Sequence, residues 1–132
     1  NRYSDEWHVQ HLENPQSVVP ESVMPQYSFL KDTELAIGDP AATLTALRRV
    51  GVSYSDEDIE KAEADMLAQA DPDADPGDLA ERYPKALIRD FDGDPDRLTE
   101  MDALIAYLQM LGTLVDFDSA APLEELAEEK GR

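Results

Sequence analysis

The chain has 132 residues, one ordinary domain, with 42% hydrophobic residues, 30 acidic side chains against 11 basic ones, and a formal net charge of −19. That charge repels nucleic-acid phosphates and anionic membranes, both of which are bound through Lys/Arg clusters, and suits a basic protein partner steered in by the field. With no cysteine, disulfides and thiolate metal sites are excluded within these residues.

Ser4 followed by Asp5, Glu6 and Trp7 reads as a helix start, a hydroxyl cap with two acids beside the positive dipole end. This helix is expected to run to Glu13 and stop before Asn14-Pro15, because a residue ahead of proline avoids the α region. Pro15, Pro20 and Pro25 then predict an extended, ordered loop from Pro15 to Leu30, too rich in valine and aromatic residues for a disordered linker. Asp39-Pro40 caps the next helix and Gly51 stops it, with Leu44, Leu47 and Val50 on one face.

Ser55 with Asp58 three residues later reads as a capping box opening a helix to about Gln69, with Ile59, Ala62, Met66 and Ala70 as a thin apolar stripe. Residues 71–78, DPDADPGD, form an acidic turn. A short helix over 77–83 and a second acidic turn, RDFDGDPDR at 89–97, follow. Residues 71–98 are expected as an insertion between two core helices rather than as a second domain. The strongest helix starts at Thr99, where Met101, Leu104, Ile105, Leu108 and Leu111 recur at helical spacing and bury one face. Residues 118–132 form an acidic tail with little to bury. The fold class is all-α, helices joined by long ordered loops, with no strand alternation in competition. The longest uncharged apolar run, Ala103 to Val115, falls short of the ~20 residues of a membrane-spanning helix.

Three constellations carry candidate chemistry. Asp90, Asp92, Asp94 and Asp96, with Glu100 beyond, raise the question of calcium. An EF-hand loop needs glycine sixth and glutamate twelfth, and here Gly93 is fourth and Glu100 eleventh, so a solvated acidic turn is the stronger reading. His8 and His11 lie three residues apart on the first helix, but no spacing points to a third ligand, and surface or helix-packing histidines are favoured. Without a Gly-rich phosphate loop or a nucleophile elbow, hydrolytic and nucleotide-driven enzymes have no support. Met24 is the third case. A lone methionine is usually core filler, yet this one sits in Val23-Met24-Pro25 with Tyr27 beside it, and an ordered loop of that kind can carry a thioether to a haem iron.

Longer motifs then converge. Arg2-Tyr3-Ser4-Asp5-Glu6-Trp7-His8, His11-Leu12, Asn14-Pro15, Val19-Pro20-Glu21-Ser22 and Met24-Pro25 with Tyr27 resemble the mono-haem c subunit, FixO or CcoO, of cbb-type cytochrome c oxidases. The likeness resumes at Leu47-Arg48 through Gly51-Val52-Ser53-Tyr54-Ser55-Asp56 and closes on Thr99-Glu100-Met101-Asp102-Ala103-Leu104-Ile105-Ala106-Tyr107-Leu108-Gln109. It covers most of residues 2 to 117.

The resemblance implies that residues 1–117 are the C-terminal part of a class I cytochrome c-like domain. It further implies a place on the periplasmic side of the bacterial inner membrane, held by an N-terminal transmembrane helix. There the subunit passes electrons towards a catalytic haem–copper subunit, in company with a di-haem subunit and with a basic soluble cytochrome c as a candidate donor. Heme c is the cofactor of the intact subunit, and Met24 corresponds to the axial methionine of a Ser-x-Met-Pro-x-Tyr motif, with Pro25 and Tyr27 framing it. The Cys-x-x-Cys-His motif that attaches haem is not present, and neither His8 nor His11 stands in it. The motif and the anchor are expected before Asn1, in a longer protein. The 132 residues alone are expected to hold no haem, to transfer no electrons, and to self-associate through apolar faces left uncovered or to rearrange the Met24 loop. The rival reading is an acidic, non-redox interaction module that binds a basic partner or calcium through residues 71–97.

Overall fold

A computed structural model describes residues 3–114, which contain eight helices. Helix α1, Asp5–Glu13, begins where the cap predicts, with the Ser4 side chain accepting the Trp7 N–H at 3.1 Å. Its buried residues are Val9 and Leu12.

The stretch expected to be extended from Pro15 to Leu30 instead opens and closes on short helices, α2 (Pro15–Val18) and α3 (Phe29–Asp32). Proline is excluded from a helix interior but not from its first position, where the N–H it lacks has no intrahelical partner. Pro15 occupies that position, and α2 has ended before Pro20. Between them, Val19 and residues 22–27 are free of regular structure and turns.

Helix α4, Pro40–Arg49, is capped by Asp39, whose side chain accepts the Ala42 N–H at 2.9 Å. Its apolar stripe does not enter a core: none of its residues is buried, and Val50 beyond its end is 79% exposed. The helix expected from Ser55 to Gln69 is broken at Lys61 into α5 (Asp56–Glu60) and α6 (Ala62–Ala70). Lys61 Nζ lies 2.7 Å from Glu57 and 2.6 Å from Asp78, a long-range partner that local propensity does not reveal. Helix α7, Leu79–Arg82, is one turn long.

Helix α8, Glu100–Leu111, packs on α1 and α3. Its buried face is set by Met101, Asp102, Ile105 and Gln109, so the stripe is rotated away from Leu111, which is 41% exposed. The core comprises Val9, Leu12, Phe91, Met101 and Ile105, with Met24, Tyr27, Leu30, Leu87, Leu104 and Ala106 packed against it. Phe91 comes from the second acidic turn, so that turn enters the core rather than only projecting from it. A single antiparallel bridge, Glu34 with Thr99, ties the chain after α3 to the start of α8 through Leu35 N–H to Leu98 C=O and Glu100 N–H to Thr33 C=O, both 2.9 Å. No strand forms among the described residues. The acidic tail expected at 118–132 lies outside them.

Candidate functional site

Met24 stands in the unstructured stretch, its side chain half-buried against the core while Val23 is 99% exposed. The Ser22 hydroxyl accepts the Met24 N–H at 3.2 Å. Tyr27, beyond Pro25 and Gln26, donates its N–H to the Leu12 carbonyl at 2.7 Å, fastening the loop to the last turn of α1. Gln26 Nε2 reaches Asn14 Oδ1 at 3.4 Å. Pro25 is exposed, and Tyr27 is half-buried with its ring 6.1 Å from that of Phe29.

The two histidines belong to an aromatic ladder on α1. Tyr3 stacks on Trp7 with ring centroids 4.1 Å apart, Trp7 stacks on His11 at 4.6 Å, and His8 meets Trp7 edge-on at 5.3 Å. Burial lowers the His8 pKa, opposed by the nearby Asp5 charge. Neither histidine joins a metal-sized group of three ligands among the described residues.

The acidic turn does bring carboxylates together, though not in the set its spacing suggested. Asp90, Asp92 and Asp102 offer oxygens within 4.8 Å of one another, and Glu100 is not among them. Most of these oxygens already accept N–H groups. Asp102 takes those of Phe91 (3.1 Å), Asp92 (3.0 Å) and Thr99 (2.9 Å), while Asp92 takes that of Asp94 (2.8 Å) and the Thr99 hydroxyl (2.6 Å). Asp90 takes the Gly93 N–H at 3.0 Å. Burial, helped by the charges of Asp92 and Asp102, pushes the Asp90 pKa up. The cluster is a hub of local turns that joins Phe91 to α8. The helix start at Thr99 was legible in the sequence; the Thr99–Asp102 capping box and the reach of Asp102 to residues 91 and 92 come from the structure.

A second network has no local signature at all. The Arg82 guanidinium, 10% exposed, hydrogen-bonds Asp65, with Asp58, Glu57 and Asp78 each 3.7 Å away. It binds α7 to α5 and α6. Beside it runs an open, mainly apolar cleft of about 790 Å³, lined by Leu44, Met66 and Tyr83 on one side and by Ala106, Tyr107 and Met110 of α8 on the other. Met24 does not line this cleft. Phe91, Leu87 and Ala106 do, and each also belongs to or packs against the core.

Helices around a small core, with no sheet among the described residues, make an all-α domain of the kind a cytochrome c-like fold requires. The chain matches the family described as "Cytochrome C oxidase, mono-heme subunit/FixO" over residues 1–115 and belongs to that family. That family is the mono-haem subunit of cbb-type cytochrome c oxidase, a component of electron transport. No curated protein matches the chain.

The family's cofactor can be tested against the residues present. Heme c is attached through cysteines, and these 132 residues have none, so they supply no covalent link. A thioether is a recognised axial donor to haem iron, and Met24 presents one from a held backbone beside aromatic and aliphatic walls. Met24 is therefore of a residue type that could serve a haem held by a longer chain as an axial ligand. No helix among the described residues is long and apolar enough to cross a membrane.

Proposed function

We propose that this chain forms the distal half of a haem site in a membrane-anchored subunit that relays electrons, on the periplasmic side, to the catalytic haem–copper subunit of the oxidase. Met24 serves as the axial ligand, while Pro25 and Tyr27 hold its loop. What supports this is the combination at Met24: a half-buried side chain packed against the core, a backbone N–H held by Ser22, and a loop bonded back to Leu12 through Tyr27. When bound, heme c supplies a one-electron iron couple, and methionine ligation raises its potential. The chain's own part is to fix the sulfur and keep water from that face with Leu30, Phe91 and Leu104. The catalytic and di-haem subunits are its partners, and the charge of −19 favours a basic soluble cytochrome c as donor.

The test is the full-length, haem-bearing subunit carrying Met24→Ala. Loss of the methionine–iron charge-transfer band and a lower potential are expected, and an unchanged band assigns the iron to another residue. The isolated 132 residues self-associate through the outer face of α8, where Tyr107 is 53% and Met110 48% exposed. Light scattering over a salt series checks this, since screening of like charge should increase the association. The calcium reading gains nothing from the Asp90–Asp92–Asp102 cluster, whose oxygens largely serve as acceptors for backbone N–H groups.

A further inference from the structure

We propose that Ser22 is a positioning residue for the Met24 sulfur: its hydroxyl fixes the Met24 backbone from one side while Pro25 fixes it from the other. The proposal rests on the reading of Met24 as the haem-iron ligand. Met24 has neither helix nor strand to hold it, so its direction depends on what restrains its own two dihedrals. On the φ side, the Met24 N–H donates to Ser22 Oγ at 3.2 Å, a bond across two residues that closes a local turn. On the ψ side, the Pro25 ring confines Met24 to extended conformations.

Ser22 is itself anchored. Its N–H donates to the Val19 carbonyl at 2.9 Å, and its own carbonyl accepts Gln16 Nε2 at 3.3 Å. The restraint therefore runs from α2, through Ser22, to the methionine. The far end of the loop is held independently by the Tyr27 N–H on Leu12. Removing the Ser22 hydroxyl should accordingly loosen Met24 and leave Tyr27 in place. An alanine at position 22 offers no acceptor. The Met24 N–H must then turn to solvent, and the backbone that aims the sulfur gains freedom on one side only.

The experiment uses the full-length, haem-bearing subunit. Ser22→Ala is expected to speed hydrogen exchange of the Met24 amide about fivefold, the factor for one net hydrogen bond. It should also lower the pH at which base displaces the methionine–iron band by about half a unit to one unit. Ser22→Thr keeps the hydroxyl and is expected to match the parent in both measurements. Parental behaviour of Ser22→Ala overturns the proposal, and so does a faster Met24 amide with no movement of the band. Equal acceleration at the Tyr27 amide also overturns it, because Ser22 would then be a general stabiliser of the loop. Met24→Ala separates this proposal from the reading beneath it. A band that survives Met24→Ala removes the ligand role itself. A band lost there but insensitive to Ser22→Ala removes only the positioning role.

Discussion

The α1–α8 core and the α5–α7 unit are held together by different physics. In the first, Met101 and Ile105 are fully buried, and the buried carboxylates beside them, Asp92 and Asp102, have their oxygens occupied by N–H and O–H donors. In the second, few side chains are buried, and the link is a guanidinium among four carboxylates, with Arg82 Nε, Arg82 Nη1 and one Asp65 oxygen lacking hydrogen-bond partners. Burial with satisfied polar groups is insensitive to salt, whereas an incompletely paired charge cluster is not.

The sharpest way to break this contrast is in the core. Ile105→Ala should cost about 2–5 kcal/mol in urea unfolding, the range for removing a fully buried aliphatic side chain. Asp102→Ala should come next, at about 3 kcal/mol, because three backbone N–H groups lose their acceptor in a buried setting. Arg82→Met should act locally: amide exchange across α5–α7 quickens while Val9, Leu12 and Ile105 keep their protection. A result in which α1 and α8 loosen equally would merge the two regions into one cooperative unit. Ser55→Ala, which removes the hydroxyl of the α5 capping box, should cost about 1 kcal/mol, again with α8 unaffected.

The smallest effect is a difference of sign with pH. Asp58 is held below the usual carboxylate range, first by the Ser55 N–H, and Asp78 is held low by the Lys61 ammonium. Groups lowered in this way contribute stability above the unfolded value and lose it as pH falls through the folded one. Asp90 is raised, chiefly by burial, so its ionised form opposes folding at neutral pH, and that opposition is relieved as pH falls through its raised value. Below about pH 4, exchange should therefore quicken in α5–α7 ahead of the Asp90 turn. Asp90→Asn, which keeps an oxygen for the Gly93 N–H, should slightly stabilise the protein at neutral pH and flatten the response of that turn.

The helix starts were legible because capping is local chemistry. Ser4, Asp39, Ser55 and Thr99 each announce a first turn within four residues, and each cap bond forms as read. What the sequence concealed depends on distant partners. The break at Lys61 is accompanied by a bond to Asp78, the buried face of α8 is completed by Gln109 donating to the Tyr3 carbonyl at 3.0 Å and to Asp5 at 2.7 Å, and the Arg82 cluster spans three helices. Helix α2 was hidden differently: three prolines in close order suggested extension, although the first of them suits a helix start. At the site, Met24, Pro25 and Tyr27 were picked out by motif and residue type. The service Ser22 performs for Met24 could be found only in the hydrogen bonds.

The small bridge between Glu34 and Thr99 has a consequence for how such a chain can vary. It brings the exit from α3 and the entry to α8 side by side, so everything between them is a closed excursion. The entropy of closing a flexible loop rises only with the logarithm of its length, about 0.6 kcal/mol for each doubling. The Arg82 unit can therefore lengthen, shrink or exchange its charges at little thermodynamic penalty, provided that the returning chain still delivers Phe91 to the core. Evolution can redesign the outer face of this subunit without disturbing the elements that aim the methionine.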